Sequence, residues 1–196
     1  IKQLVEKAVI ALGIANEVWI ADYYYLKKTG LTEFFSEMAV NEVVIPIKIK
    51  GWEQQFFVHK NNQHLIDQAA QGDLSPTGTT FLSPFDPLIT NRNRTEELFN
   101  FMYRFEAYTP AKDRQFGYFC LPILDQGQLV GRLDPKAHRK ESLMEIKHIY
   151  LEPDSKIDES LVSGLKTSMA NFTDWHGLSE WMVTASTPSV LKEAIS

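Results

Sequence analysis

Eight basic side chains, Arg92, Arg94, Arg104, Arg114, Arg132, Lys136, Arg139 and Lys140, gather in the middle of the chain, and the chemistry open to them is contact with phosphate. Residues 91 to 150 hold ten Lys or Arg against eight acids. Residues 61 to 90 hold three acids and no base, and residues 151 to 196 hold seven acids against three bases. The formal charge of the whole is -5, so a polyanion has one segment to approach and two to avoid. In Gly131-Arg132-Leu133-Asp134-Pro135-Lys136-Ala137-His138-Arg139-Lys140, Gly and Pro turn the chain while bases accumulate, which predicts a hairpin tip suited to phosphates or a minor groove. The same side chains have a second reading, as a solvated face or as partners of Glu106, Asp113 and Glu141.

Asp86 stands between prolines in Ser83-Pro84-Phe85-Asp86-Pro87, where a carboxylate is rigidly presented. It can orient a water or face a cationic transition state in a cleft; equally, it can close an Asx-turn or pair with Arg92 or Arg94. Glu106, beside Arg104, Phe105 and Tyr108, carries the same two readings. The five histidines, His59, His64, His138, His148 and His176, lack metal-ligand spacing, and one cysteine supplies no thiolate set, so no metal and no cofactor are expected. Cys120 lies in an apolar stretch and reads as a small buried hydrophobe in a reducing compartment. With neither a phosphate-cradling Gly-rich loop nor a Gly-x-Ser-x-Gly elbow, nucleotide hydrolysis and the common serine hydrolase chemistry have no support.

A chain of 196 residues buries about 70% of the surface its unfolded form exposes, enough for a real core. Hydrophobic residues at 44%, charged residues at 23% and a mean hydropathy of -0.22 exclude disordered and collagen-like classes. No apolar run approaches the roughly 20 residues of a membrane helix, so no membrane partner is expected. The chain opens at Ile1 directly into a helix-like pattern, which predicts no signal peptide and a piece of a longer protein; a cytoplasmic monomer is expected.

The elements that must carry these groups form an α+β chain. Leu4, Val5, Ala8, Val9 and Leu12 mark a first helix ending at Gly13, Asn16 caps a second through Leu26, and Thr32 caps a third that buries Phe34, Phe35 and Met38. Val43 to Lys50 and Phe56 to Val58 then read as a two-stranded ribbon. Helices followed by a ribbon are the order of a winged helix, assigned to residues 1–72 with a short helix from Asn61 to Gln71. After a connector from Gly72 to Thr80, residues 80–196 read as a basic-edged antiparallel β-sheet or small barrel with flanking helices. Its strands are expected at Phe105 to Thr109, Phe116 to Leu124, Leu129 to Leu133 and Leu143 to Leu151, with Asp125-Gln126-Gly127 as a hairpin turn. Thr95 to Phe101 reads as a helix, a second begins near Asp154 or Ser155 with Leu161, Leu165, Met169 and Phe172 on one face, Glu180 to Ala185 as a strand and Ser189 to Ile195 as a last helix.

A winged helix reads DNA with basic or amide side chains on its third helix. Here that helix carries Glu33, Glu37 and Glu42 and no base between Thr32 and Glu42, so the first module reads as scaffold and contact with double-stranded DNA falls to the middle segment.

Five ordered blocks, Leu82-Ser83-Pro84-Phe85-Asp86-Pro87-Leu88, Arg92-Asn93-Arg94-Thr95, Tyr103-Arg104-Phe105-Glu106-Ala107-Tyr108, Gly117-Tyr118-Phe119-Cys120-Leu121-Pro122 and Val130-Gly131-Arg132-Leu133-Asp134-Pro135-Lys136, resemble the AlkZ/YcaQ-like winged-helix DNA glycosylases. The resemblance implies tandem winged helices with a C-terminal β-barrel, repair of alkylated or interstrand-crosslinked bases, and no metal or nucleotide cofactor. It also implies that the catalytic Gln-x-Gln or Gln-x-Asp motif lies upstream of the matching region. Gln126-Gly127-Gln128 matches only the letters, since it sits in a predicted turn. The chain therefore reads as the DNA-binding C-terminal part of a repair glycosylase, inactive alone; a non-catalytic winged-helix DNA-binding or regulatory protein is the alternative.

Overall fold

The computed structural model describes residues 1–27 and 29–195, which divide into two compact units, Ile1–Ser75 and Pro76–Ser196. In the first, α1 (Lys2–Leu12) buries Val5, Ala8 and Val9, a narrower stripe than the sequence predicts, with Leu4 left exposed. Gly13, at φ 73°, turns the chain into β1 (Ile14–Ala15). Asn16 caps α2 (Glu17–Tyr23) by accepting the Trp19 amide at 2.9 Å. This helix stops short of Leu26 because Tyr25 turns left-handed at φ 53° and the Leu26 amide folds back onto the Ala21 carbonyl at 2.8 Å, the closure that ends many helices.

The third helix, α3 (Leu31–Val40), starts after Gly30 and not at Thr32. The Thr32 hydroxyl instead donates to Glu17 Oε2 at 3.1 Å. Two strands follow, β2 (Val44–Ile47) and β3 (Phe56–His59), and the three strands lie in the order β1-β3-β2, antiparallel throughout. Central β3 is buried along its whole length, with Phe57 stacked on Phe35 at 4.5 Å and Phe56 edge-on to Trp19 at 5.4 Å. Glu33 and Glu37 of α3 face outward, and Glu37 accepts from Lys2 Nζ at 2.5 Å. A last helix, α4 (Gln63–Gln71), buries none of its residues.

The second unit is built on a six-stranded sheet. In chain order it contains β4 (Thr79–Phe81), α5 (Pro87–Thr90), α6 (Arg92–Phe99), β5 (Leu121–Asp125), β6 (Gln128–His138), β7 (Leu143–Leu151), α7 (Glu159–Trp175), β8 (Glu180–Val183), β9 (Ser186–Thr187) and α8 (Ser189–Ile195). Strands β4 to β7 are antiparallel neighbours, but β8 and β9 both run parallel to β7. The sheet is therefore antiparallel-rich and mixed, because α7 provides the long crossover that parallel neighbours require.

Local sequence explains the departures from expectation. Asn91 caps α6 by accepting the Arg94 amide at 3.0 Å, so the helix begins before Thr95. Asp158 caps α7 by accepting the Leu161 amide at 2.9 Å, beyond the start predicted near Asp154 or Ser155. The turn at Gln126 and Gly127 is as expected, both with positive φ, which suits a two-residue hairpin. Of the segment predicted as a hairpin tip, Gly131 to His138 are strand, with Lys136, Ala137 and His138 pairing with Glu145, Met144 and Leu143, and only Arg139 and Lys140 lie in the turn between β6 and β7. Pro135 is absorbed by a register shift after Asp134, since a bulge removes the need for its missing N–H. Phe105 to Thr109 forms no strand, and only Leu121 onward of the Phe116 to Leu124 segment does.

One face of the sheet packs Leu133, Ile146 and Ile149 against Leu165 and Met169 of α7. Gly164 lets α7 approach β4 closely, since a Cβ there would lie 1.9 Å from Thr79 Oγ1.

Candidate nucleic-acid interface

Residues 100–120 cross the second unit largely without helix or strand, and one carboxylate organises their centre. Glu106, 8% exposed, accepts the Gln115 amide on Oε1 at 2.9 Å, and the Phe116 and Gly117 amides on Oε2 at 2.8 and 3.3 Å. Burial works to raise its pKa, yet the three backbone donors, together with Arg104, hold it below the usual carboxylate range. Of its two readings, the structural one describes this geometry. The Tyr103 hydroxyl donates to the Cys120 carbonyl at 2.6 Å, and burial pushes the Cys120 thiol up to about 12, helped by Asp134 and Glu106. A thiol so raised stays protonated and is no nucleophile.

Arg132 is the surprise of the basic segment. It is 3% exposed, with its guanidinium 4.4 Å from the Phe101 ring centre and 4.2 Å from that of Phe116, and its Nη2 donates to Glu152 Oε1 at 2.6 Å. Arg94 is also 3% exposed and donates to the Pro87 carbonyl. Both therefore leave the set of side chains able to reach a phosphate from solution. Buried guanidinium groups are held by aromatic faces and acceptors because losing water without them is too costly.

Arg114 is half-buried, donating to the Thr109 carbonyl at 2.9 Å and lying over the Tyr118 ring. Arg92, Arg104, Lys136, Arg139 and Lys140 remain exposed, and none of them is in an ion pair among the described residues. Arg92 and Arg104 join buried Arg132, with Glu96, Glu106 and Glu152, around a cavity of about 580 Å³. Lys136, Arg139 and Lys140 are not among its walls. Asp86 accepts the Leu88 amide at 2.9 Å and caps α5, the Asx-type arrangement. Among the described residues, no group of three His, Cys, Asp or Glu is placed to hold a metal, and no helix is long and apolar enough to cross a membrane.

The sequence reading missed Glu152, Phe101 and Phe116 as partners of Arg132. Pairing register reveals Glu152, because Arg132 faces Tyr150 on β7 and Glu152 is two residues on, which puts it on the same face. The two rings come from the irregular segment, where no periodicity points to them.

These titratable groups predict acid sensitivity. Glu145, hydrogen-bonded to His138 at 2.7 Å, is held low by that bond and by Thr184, and burial holds His148 low. Each resists protonation in the folded state. Stability is therefore expected to be full above about pH 7, to begin falling below about 6.5 as the unfolded imidazole takes a proton the folded one resists, and to fall further below about 4.3 as Glu106 and Glu145 are forced to protonate. Thermal midpoints measured from pH 7 to pH 4 check this, and a midpoint that rises on acidification contradicts it.

No solved structure matched this chain. A family profile described as DNA glycosylase AlkZ-like matches residues 1–175, which takes in the first compact unit, most of the second and every block that carries the resemblance. This chain belongs to the AlkZ-like DNA glycosylase family.

Proposed function

We propose that this chain is the duplex-holding part of a DNA repair glycosylase that excises alkylated or crosslinked bases. Family membership supports the repair context. The observation that carries the DNA-holding role is the five exposed cations of the middle segment, Arg92, Arg104, Lys136, Arg139 and Lys140, free of ion pairs among the described residues. Three of the nearby carboxylates have other partners: Glu106 accepts three backbone amides, Glu152 binds Arg132 and Glu145 binds His138. The helix, strand, two helices and hairpin of residues 1–72 support a winged-helix reading of that module as scaffold, with residues 80–196 as the basic-edged β domain. No residue here is assigned to bond cleavage; Gln126 lies in a tight turn and donates to Ser160. A glycosylase needs its duplex gripped while a nucleotide is extruded, and that grip is the role assigned.

Duplex affinity should fall steeply with salt. Alanine at Arg139 and Lys140 should weaken binding across all sequences and flatten the salt slope by about 1 for each phosphate no longer neutralised. Fluorescence anisotropy with a labelled duplex at several salt concentrations reads both. Affinity independent of salt, or unchanged when all five cations are removed, overturns the proposal.

A further inference from the structure

A second cavity, of about 510 Å³, opens where the last turn of α7 meets the far half of β6. Its walls are mainly apolar, with Phe119, Pro135, Met144 and Phe172 among them, and neither Arg132 nor Glu106 is one of them. Trp175 on its rim is 80% exposed, edge-on to His176 at 4.7 Å, and Phe119, which also lines it, is 37% exposed. Flat aromatic surface left in water beside an apolar hollow is a site waiting to be covered.

Polar chemistry at the same corner narrows what covers it. His176 Nδ1 lies 2.7 Å from the Phe172 carbonyl, which can only accept, so Nδ1 carries a hydrogen and Nε2 stays open to a ligand. Arg139 Nη1 lies 3.3 Å from the His176 carbonyl oxygen, which brings a guanidinium to the rim. A stacking surface, one hydrogen-bonding edge and one cation together match a nucleotide's base face, base edge and phosphate. An aliphatic ligand would use neither His176 nor Arg139.

We propose that this cavity takes an unpaired nucleobase of a bound DNA strand, its ring on Trp175 and Phe119, its edge at His176 Nε2 and its phosphate at Arg139. The proposal rests on the DNA-holding reading and adds a preference for DNA with a base out of the stack. It is a binding site with no part in bond cleavage.

The test compares a fully matched 15-mer duplex with the same duplex carrying one extra, unpaired thymine. The wild-type chain is expected to bind the bulged duplex about tenfold more tightly, with quenching of the Trp175 emission, read as the difference from Trp175→Phe. In Trp175→Ala and in Phe119→Ala the ratio should fall towards one, while matched-duplex affinity and its salt slope change less than twofold. Trp175 lies in solvent, so its replacement leaves the fold intact. Equal binding of the two duplexes by the wild type, or a preference that survives both variants, overturns the base site and leaves the duplex grip standing. Failure of the wild type to bind either duplex overturns both.

Discussion

One methyl group at position 131 is expected to cost about 3 kcal/mol of stability, at the upper end for overpacking a core. Gly131 sits in β6 between Ile123 of β5 and Leu151 of β7. A Cβ there would lie 2.2 Å from the Tyr150 carbonyl oxygen and 3.0 Å from Leu151 Cα. Both neighbours are main chain in a paired strand, so relief requires the central strands to part. Gly131→Ala should lower the thermal midpoint by roughly 10 °C, checked by calorimetry on the purified chain. Gly164→Ala makes the informative comparison: its Cβ would meet Thr79 Oγ1 at 1.9 Å and Thr79 Cβ at 2.9 Å, so the hydroxyl must rotate away and α7 must ease back slightly from β4. That rotation breaks the 2.6 Å bond from Thr79 to Asp125, so the loss should be real but smaller. Equal midpoints for Gly131→Ala and the wild type would contradict this expectation.

Glu106→Ala is the second large effect. Three backbone amides lose their shared charged acceptor, and hydrogen bonds to charged groups contribute about 1.5 to 3 kcal/mol each without adding fully, so the expected total is about 2 to 4 kcal/mol. Glu106→Gln should fall between. It keeps one oxygen but turns an amide NH₂ towards backbone donors that the carboxylate satisfied from both sides. Hydrogen exchange locates the effect, with protection lost first at Gln115, Phe116 and Gly117 and the α7 amides largely spared in the glutamine variant. Because Phe116 covers Arg132, a loosened segment also uncovers a buried guanidinium. Unchanged protection at these three amides would mean that some other interaction orders the segment.

Helices α1, α2, α3 and α7 are legible because each repeats apolar residues at helical spacing, whereas α5 is a four-residue turn led by Pro87 and α6 buries only Arg94 and Thr95. Leu161, Leu165 and Met169 form the buried stripe of α7 as their spacing requires, and Asn16 caps α2 as its residue type allows. Residues 100–120 read as partly strand because Phe105, Tyr108, Phe116 and Phe119 have strand-forming side chains, while the force that shapes the segment is a carboxylate reaching amides nine to eleven positions away. Lys136 reads as turn because Pro135 precedes it, and a bulge that exists only once β7 pairs with β6 overrides that signal.

The order of the main helices, the Gln126-Gly127 turn, the family and the segment in which positive charge collects are all written in the unfolded chain, since local spacing, residue type and charge count exist before any folding. Which cations meet solvent is written only in the folded molecule. Arg132 and Arg139 are alike as letters, but one is enclosed by Phe101, Phe116 and Glu152 and the other stands at the rim beside His176. That division depends on strand register and on where an irregular segment lies, and both arise from interactions between residues far apart in the chain.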